Sequence, residues 1–260
     1  MMVLESFYRF VLFFYHYYFW VPFLLIGMSY IDRKAFNRTC LVVFVSAFLN
    51  VYLKYLWQIP LDPSLGKEGW AFPSGHAQFN FVLWASLAWH LRRGWVYFCG
   101  CLINVLGWFA MVYFKYHTWD DIFAAIFFGF LIIMAMAAWY RHSQTRDFEF
   151  GLVGVLCLII LHLLIPESEH KDWLWVYCGF HIAAILHAFV YQKQIINLDQ
   201  SLGLRYKVFE IILILGLNGL YSAYVFWHMY QSIWALTIAS IVIESLCFWG
   251  IRAAFLRCLR

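Results

Sequence analysis

The sequence predicts an all-α polytopic membrane protein of about nine spans. Of its 260 residues, 65% are hydrophobic and only 12% are charged. A soluble domain of this size cannot hide that composition, because its surface has to be largely polar. Apolar runs of about 20 residues, the length of a helix that crosses a bilayer, recur along the chain. The solvent around this protein is therefore mostly lipid.

Hydropathy gives the position of each predicted span. The spans lie near residues 7–29, 37–56, 76–91, 95–114, 119–139, 150–166, 173–192, 208–229 and 232–251. The first apolar run has neither a basic leader segment nor a small-residue cleavage site. We therefore interpret it as a retained helix and not as a signal peptide.

Basic residues alternate between the two sets of loops. Lys and Arg are concentrated near residues 31–38, 92–94, 140–148 and 191–207 and in the C-terminal tail, whereas the intervening loops hold few. The positive-inside rule then puts the N-terminus at the exterior, periplasm or lumen and the C-terminus in the cytoplasm, in a bacterial inner membrane or an endomembrane. Because the charge follows no groove, no nucleic-acid partner is expected.

Three polar features converge on the predicted outer boundary: Lys54, the Pro-Ser-Gly-His run at 73–76, and His117 with Asp121. A Pro-Ser-Gly-His run that opens a helix offers unpaired backbone N–H groups, a glycine that lets an anion approach, and a hydroxyl. The i, i+4 spacing of His117 and Asp121 puts both on one helical face, where the carboxylate should orient the imidazole and raise its pKa. We expect these residues to line one phosphate-binding pocket.

This order of motifs resembles the type 2 phosphatidic acid phosphatase superfamily, which includes lipid phosphate phosphatases, undecaprenyl pyrophosphate phosphatases and glucose-6-phosphatase. The resemblance implies that His117 attacks phosphorus, that Asp121 holds His117, and that His76 protonates the leaving group. It also implies that Lys54, Ser74 and Gly75 bind the phosphoryl oxygens and that no metal or other cofactor is required. The substrate would be a lipid phosphate or a phospholipid in the membrane.

The resemblance covers roughly residues 50–140. It implies a phosphatidic acid phosphatase-like helical bundle over 1–145, which carries the active-site loops, followed by additional transmembrane helices over 146–260. Those later helices would widen a lipid-facing groove or form the surface of a homo-oligomer. Among their polar residues, Glu244 is the strongest candidate for a buried polar contact, because an ionisable group inside a span is costly.

Two positions depart from the superfamily pattern. Where the superfamily has phosphate-binding arginines, this chain has Leu61 and the pair Ala110-Met111. Lys115 and Lys67 are candidate substitutes, although a lysine cannot form the bidentate hydrogen bonds of an arginine. Sphingomyelin synthases, which transfer a phosphocholine headgroup, share the Ser-Gly-His and His-x3-Asp pairs. A lipid phosphatase or phosphotransferase acting through a phosphohistidine is therefore the first hypothesis, with headgroup transfer or non-catalytic lipid binding and transport as the alternatives.

Overall fold

The computed structural model describes residues 2–66, 69–142 and 147–164. These residues form seven α-helices: α1 (Met2–Phe13), α2 (Tyr17–Tyr30), α3 (Arg33–Trp57), α4 (Gly75–Leu91), α5 (Gly94–Tyr113), α6 (Trp119–His142) and α7 (Asp147–Leu164). A short 3-10 turn, Pro63–Leu65, lies between α3 and α4. The predicted spans beyond residue 166, and Glu244 within them, lie outside the described residues.

The predicted class of fold is confirmed over this part of the chain. Helices α3, α5 and α6 are long and apolar enough to cross a membrane. Large apolar side chains stay exposed on the outer faces of α5 and α6, among them Phe98 (67%) and Phe123 (61%). Such exposure suits lipid, where the backbone hydrogen bonds of a spanning segment must be made inside the helix. The total of nine spans stays a prediction.

The predicted first span, 7–29, is wrong as a single helix. The chain breaks at Phe14–His16 into α1 and α2, and α1 has only 12 residues, about 18 Å at 1.5 Å per residue. The side chain of Tyr15 leaves the helical path here and donates hydrogen bonds to the backbone carbonyls of Asn104 (3.1 Å) and Ile103 (3.3 Å) on α5. A tertiary contact, and not a helix-breaking residue, thus marks the break.

Helix α3 lies at the centre of the bundle and packs against α2, α4, α6 and α7. Most of its residues are buried, including Phe36, Phe44 and Phe48. Helix α4 packs on α3, α5 and α6, and two buried hydroxyls, Thr39 and Ser86, hydrogen-bond between α3 and α4 at 3.0 Å. The main apolar core therefore lies along the α3–α4 contact.

The two ends of the bundle differ in charge. The end at which α3 begins carries basic residues, including Arg33 and Lys34, and the α4–α5 connection adds Arg92 and Arg93. At the opposite end α3 finishes and α4 and α6 begin, so the connections 58–74 and 114–118 lie there together. The polar motifs found in the sequence belong to this second end, which we call the site end.

Candidate active site

A backbone hydrogen bond joins the two histidine-containing motifs. The N–H of Ser74, just before α4, donates to the carbonyl oxygen of Asp121 in the first turn of α6 at 3.0 Å. Near this contact, a small buried apolar cluster includes Ala77, Met111 and Ile122. Residues that are more than 40 positions apart in the sequence are therefore held in one place by main-chain geometry.

Ser74 is the N-cap of α4. Its backbone is extended, its hydroxyl accepts a hydrogen bond from the N–H of Ala77 at 3.3 Å, and the residue is completely buried. The hydroxyl also lies 3.8 Å from the sulfur of Met111. This is the preferred role of serine at a helix start, because the first amides of a helix have no partner within it. In this arrangement the hydroxyl of Ser74 caps the N-terminus of α4.

His117 and Asp121 form a buried pair. The Nδ1 atom of His117 lies 3.6 Å from Oδ2 of Asp121, and the two side chains are 8% and 6% exposed. The same Oδ2 accepts a hydrogen bond of 2.7 Å from the N–H of Thr118, whose hydroxyl accepts in return from the N–H of Asp121. This reciprocal cap at the start of α6 fixes the carboxylate beside the imidazole.

The pKa of His117 is below its ordinary value, which is the reverse of the sequence-based expectation. Burial is the largest cause, because removing a charged imidazolium from water is costly. The positive charge of Lys54 lowers this pKa further, whereas Asp121 and the backbone of Ala71 raise it. The expected effect of Asp121 is present, but burial outweighs it. His117 is therefore neutral near pH 7, the state in which its nitrogen carries a free lone pair.

Lys54 points from the last turn of α3 into the connection between α3 and α4. Its ammonium group donates hydrogen bonds to the carbonyl oxygens of Trp70 and of Ala71, the latter at 3.3 Å. Its side chain also borders Gly75. Lys54 thus lies beside the start of α4 and holds the connection that leads into it.

Two predicted residues lie at the rim. His76 is exposed, and its ring stands edge-on to the ring of His16, with the centroids 6.3 Å apart. Lys115 is also exposed, and its charge acts on Asp62, whose pKa is held below the usual range chiefly by hydrogen bonds with Ser64. The structure therefore brings Lys54, Ser74, Gly75, His117 and Asp121 together and leaves His76 and Lys115 more peripheral. Lys67 lies outside the described residues.

Several polar neighbours of the site were not predicted: Ser46, Asn50, Gln78, Thr118 and His16. The first two precede Lys54 by eight and four residues, and Gln78 follows Ser74 by four, so they share helical faces with predicted residues. The sequence signal for them was a polar residue within an apolar run, on the same helical face as a candidate site residue. His16 gave no comparable signal, because the break between α1 and α2 brings it here.

At one departure from the superfamily pattern an apolar side chain occupies the site. Met111 is 2% exposed and lies against the hydroxyl of Ser74. The resemblance implies an arginine at this position, which would add a permanent positive charge next to the start of α4. Among the described residues, Lys54 brings a positive charge beside the start of α4.

Comparison with known proteins gives one match. Residues 35–145 match the model of the PAP2 superfamily, which confirms the resemblance drawn from the motifs. No curated protein and no solved structure matches the chain. The matched range runs from the first turn of α3 to just beyond the end of α6, and it contains Lys54, Ser74, Gly75, His117 and Asp121.

Proposed function

We propose, from the match of residues 35–145 to the model of the PAP2 superfamily, that the protein is a membrane phosphatase or phosphotransferase acting on a lipid phosphate through a phosphohistidine at His117. The observation that carries the proposal is the hydrogen bond between the N–H of Ser74 and the carbonyl of Asp121. It holds the helix start that would receive a phosphate next to the imidazole that would attack it. Hydrolysis of the ester is the first candidate reaction.

In the first step a nitrogen of His117 attacks phosphorus, the N–P bond forms, and the bond from phosphorus to the leaving oxygen breaks. Because Asp121 lies beside Nδ1, the attacking atom is Nε2. Attack places positive charge on the ring, and the nearby carboxylate stabilises that charge. His76 gives a proton to the leaving oxygen as it departs with the bonding electrons.

In the second step water attacks the phosphohistidine. His76, now neutral, takes a proton from the water, the N–P bond breaks, and its electron pair returns to His117. Phosphate leaves, and both histidines regain their starting protonation states. The ammonium of Lys54 and the unpaired amides at the start of α4 would bind the phosphoryl oxygens during both steps. The chemistry needs only the chain's own residues and water.

The direct test is to trap the intermediate. Wild-type protein and His117→Ala are incubated with labelled phosphatidic acid, isoprenyl pyrophosphate, a phosphorylated glycolipid and phosphodiester lipids, and the acid-labile label on the protein is measured with turnover. We expect label and turnover in the wild type and loss of both in His117→Ala, by at least about 100-fold for a positioned catalytic group. His90→Gln, at the far end of α4, is the matched histidine control.

The outcomes of this test differ for an enzyme and a carrier. Unchanged turnover in His117→Ala would refute the catalytic role of that residue. Lipid binding by the wild type without turnover of any substrate in the panel would favour the non-catalytic alternative, in which the same site binds a headgroup.

A second candidate reaction is transfer of a phospholipid headgroup to another lipid. The burial of Met111 against Ser74 favours it, because a phosphodiester carries less charge than a phosphate monoester and needs fewer cations around phosphorus. The first step is unchanged, and the hydroxyl of a lipid acceptor replaces water in the second. Turnover of the phosphodiesters alone, with the headgroup recovered on an added lipid alcohol, would replace hydrolysis by transfer.

The orientation and the domain division belong to the same proposal. The basic residues at the opposite end of the bundle, such as Arg92 and Arg93, support a cytoplasmic location for that end and an exterior or luminal location for the site end. The predicted helices over 146–260, of which the structure describes only α7, would extend the groove for the lipid or provide an oligomer surface.

A further inference from the structure

The buried face of α3 presents three polar side chains in a row towards the start of α4. Ser46, Asn50 and Lys54 follow one another at intervals of four residues, so they share one face of the helix. Ser46 is completely buried and Asn50 is 6% exposed. A polar row of this kind in an apolar helix is costly unless each group is hydrogen-bonded, and here each group is.

Gln78 on α4 connects the members of this row. Its Nε2 group donates to both the carbonyl oxygen and the hydroxyl of Ser46, each at 3.0 Å. Its Oε1 atom accepts from Nδ2 of Asn50 at 2.9 Å. Because both N–H bonds of Gln78 go to Ser46, its oxygen faces Asn50, and this decides which way the amide of Asn50 must point.

The amide of Asn50 in turn holds the chain just before the candidate phosphate cradle. Its second N–H donates to the carbonyl oxygen of Pro73 at 3.3 Å. Its Oδ1 atom lies 3.0 Å from the place a Cβ would take on Gly75. The amide therefore bonds the residue before Ser74 and touches the residue after it, so the position of the first turn of α4 depends on it.

We propose that Asn50 and Gln78 are positioning residues, which set the start of α4 relative to His117 by fixing the carbonyl of Pro73 and the flank of Gly75. The proposal rests on the proposed function at His117. Gln78 is completely buried and Asn50 is 6% exposed, and the hydrogen bonds described for both side chains are made to the protein itself. A Cβ at position 75 would lie 3.0 Å from the oriented amide of Asn50, so that amide would have to move by a few tenths of an ångström. This reason for glycine differs from the approach of an anion.

The first experiment measures kcat and KM in Asn50→Leu and Gln78→Met, which replace the amides by apolar side chains of similar shape, on the lipid that the wild type turns over fastest. A misplaced reacting group costs up to about 100-fold, so we expect kcat to fall by about 10- to 100-fold in Asn50→Leu and by less in Gln78→Met, with KM little changed. Thr39→Val removes another buried hydrogen bond between the same two helices and should keep the wild-type kcat. A kcat in Asn50→Leu no lower than in Thr39→Val would overturn the proposal.

The second experiment does not require activity. Melting temperatures are measured for Gly75→Ala, Asn50→Ala and the double variant. If the amide of Asn50 crowds a Cβ at 75, Gly75→Ala is less favourable in the native background than after Asn50 is truncated, so the two effects on melting temperature are not additive. Additive losses would refute the packing argument.

The two proposals fail separately. Turnover that His117→Ala does not reduce contradicts the proposed function and leaves the melting experiment as the test of Asn50. Turnover that His117→Ala abolishes and that Asn50→Leu leaves at the Thr39→Val value contradicts the positioning role alone.

Discussion

Replacing Asp121 by Asn tests the buried pair with the least structural disturbance. The amide oxygen of Asn can still accept the hydrogen bond that Oδ2 now receives from the N–H of Thr118, so the cap at the start of α6 is retained. Only the negative charge beside His117 is removed. The substitution therefore separates the electrostatic role of this residue from its role in the helix.

The size of the effect follows from the geometry. Two unit charges about 4 Å apart attract by about 4 kcal/mol at an effective dielectric constant of about 20. The separation of Nδ1 and Oδ2 is 3.6 Å, and both side chains are less than a tenth exposed, so water screens the pair weakly. At 1.36 kcal/mol for each factor of ten this corresponds to about a 1000-fold loss of turnover. Since the dipole of Asn retains part of the attraction, we expect a fall in kcat of about 100- to 1000-fold.

The pH dependence gives an independent result. Attack requires neutral His117, so the acid limb of kcat/KM follows its pKa, which burial already holds below the ordinary value of about 6.5. Asp121 raises that pKa, so its loss must lower it. The rate should therefore increase through a lower pH range in Asp121→Asn than in the wild type.

The assay is a pH profile of turnover for the wild type, Asp121→Asn and Thr118→Ala. Thr118→Ala removes the hydroxyl that accepts from the N–H of Asp121 and leaves the carboxylate beside His117, so we expect it to lower stability by about 1 kcal/mol without moving the acid limb. A fall in kcat of less than about 10-fold in Asp121→Asn, with an unmoved acid limb, would refute the role of this charge.

Three further perturbations test the fold and the surroundings of the site. Lys54→Met removes the donors to two carbonyls of the connection 58–74. Because hydrogen bonds from a charged group contribute about 1.5–3 kcal/mol each, we expect faster proteolysis of that connection and a lower kcat/KM. Unchanged values of both would contradict the assignment. Gly107→Ala puts a Cβ against the ring of Tyr15 and should destabilise the protein by about 1–3 kcal/mol in thermal melting. The control Gly94→Ala, whose Cβ meets nothing within 4 Å, should not destabilise it. Equal losses of stability would argue against the packing of the α1–α2 junction. A cysteine introduced at Ser64 should react with an impermeant reagent from the exterior or lumen and one at Gly94 from the cytoplasm, and the reverse pattern would invert the orientation.

The sequence was sufficient for the elements whose cause is local. The long apolar runs predicted α3, α5 and α6 to within a few residues, because a spanning helix must satisfy its own backbone. It was insufficient at 14–16, where neither Pro nor Gly marks a break. The hydroxyl of Tyr15 bonds carbonyls on α5, almost 90 residues later, and no local pattern carries that information.

For the site, spacing predicted which residues meet and not what each one does. The proximity of Lys54, Ser74 and His117 was predictable from their positions at the ends of neighbouring helices. The burial that lowers the pKa of His117 depends on how α5 and α6 are joined and packed. The hydrogen bond by which the hydroxyl of Ser74 caps α4 depends on the same packing. The network through Asn50 and Gln78 depends on the rotation of α3 against α4, which one sequence does not give.

The hydrogen bonds that Lys54 already makes limit how many hydrogen bonds it can donate to a bound anion. An ammonium group has three N–H bonds and no more, and two of them are donated to the carbonyls of Trp70 and Ala71. Within the part of the chain that the structure describes, one donor is left for a ligand, enough for a single oxygen. A tetrahedral anion has to complete its coordination elsewhere or draw the ammonium away from the carbonyls that it holds. An anion and the carbonyls of residues 70 and 71 therefore compete for the same three N–H donors of Lys54.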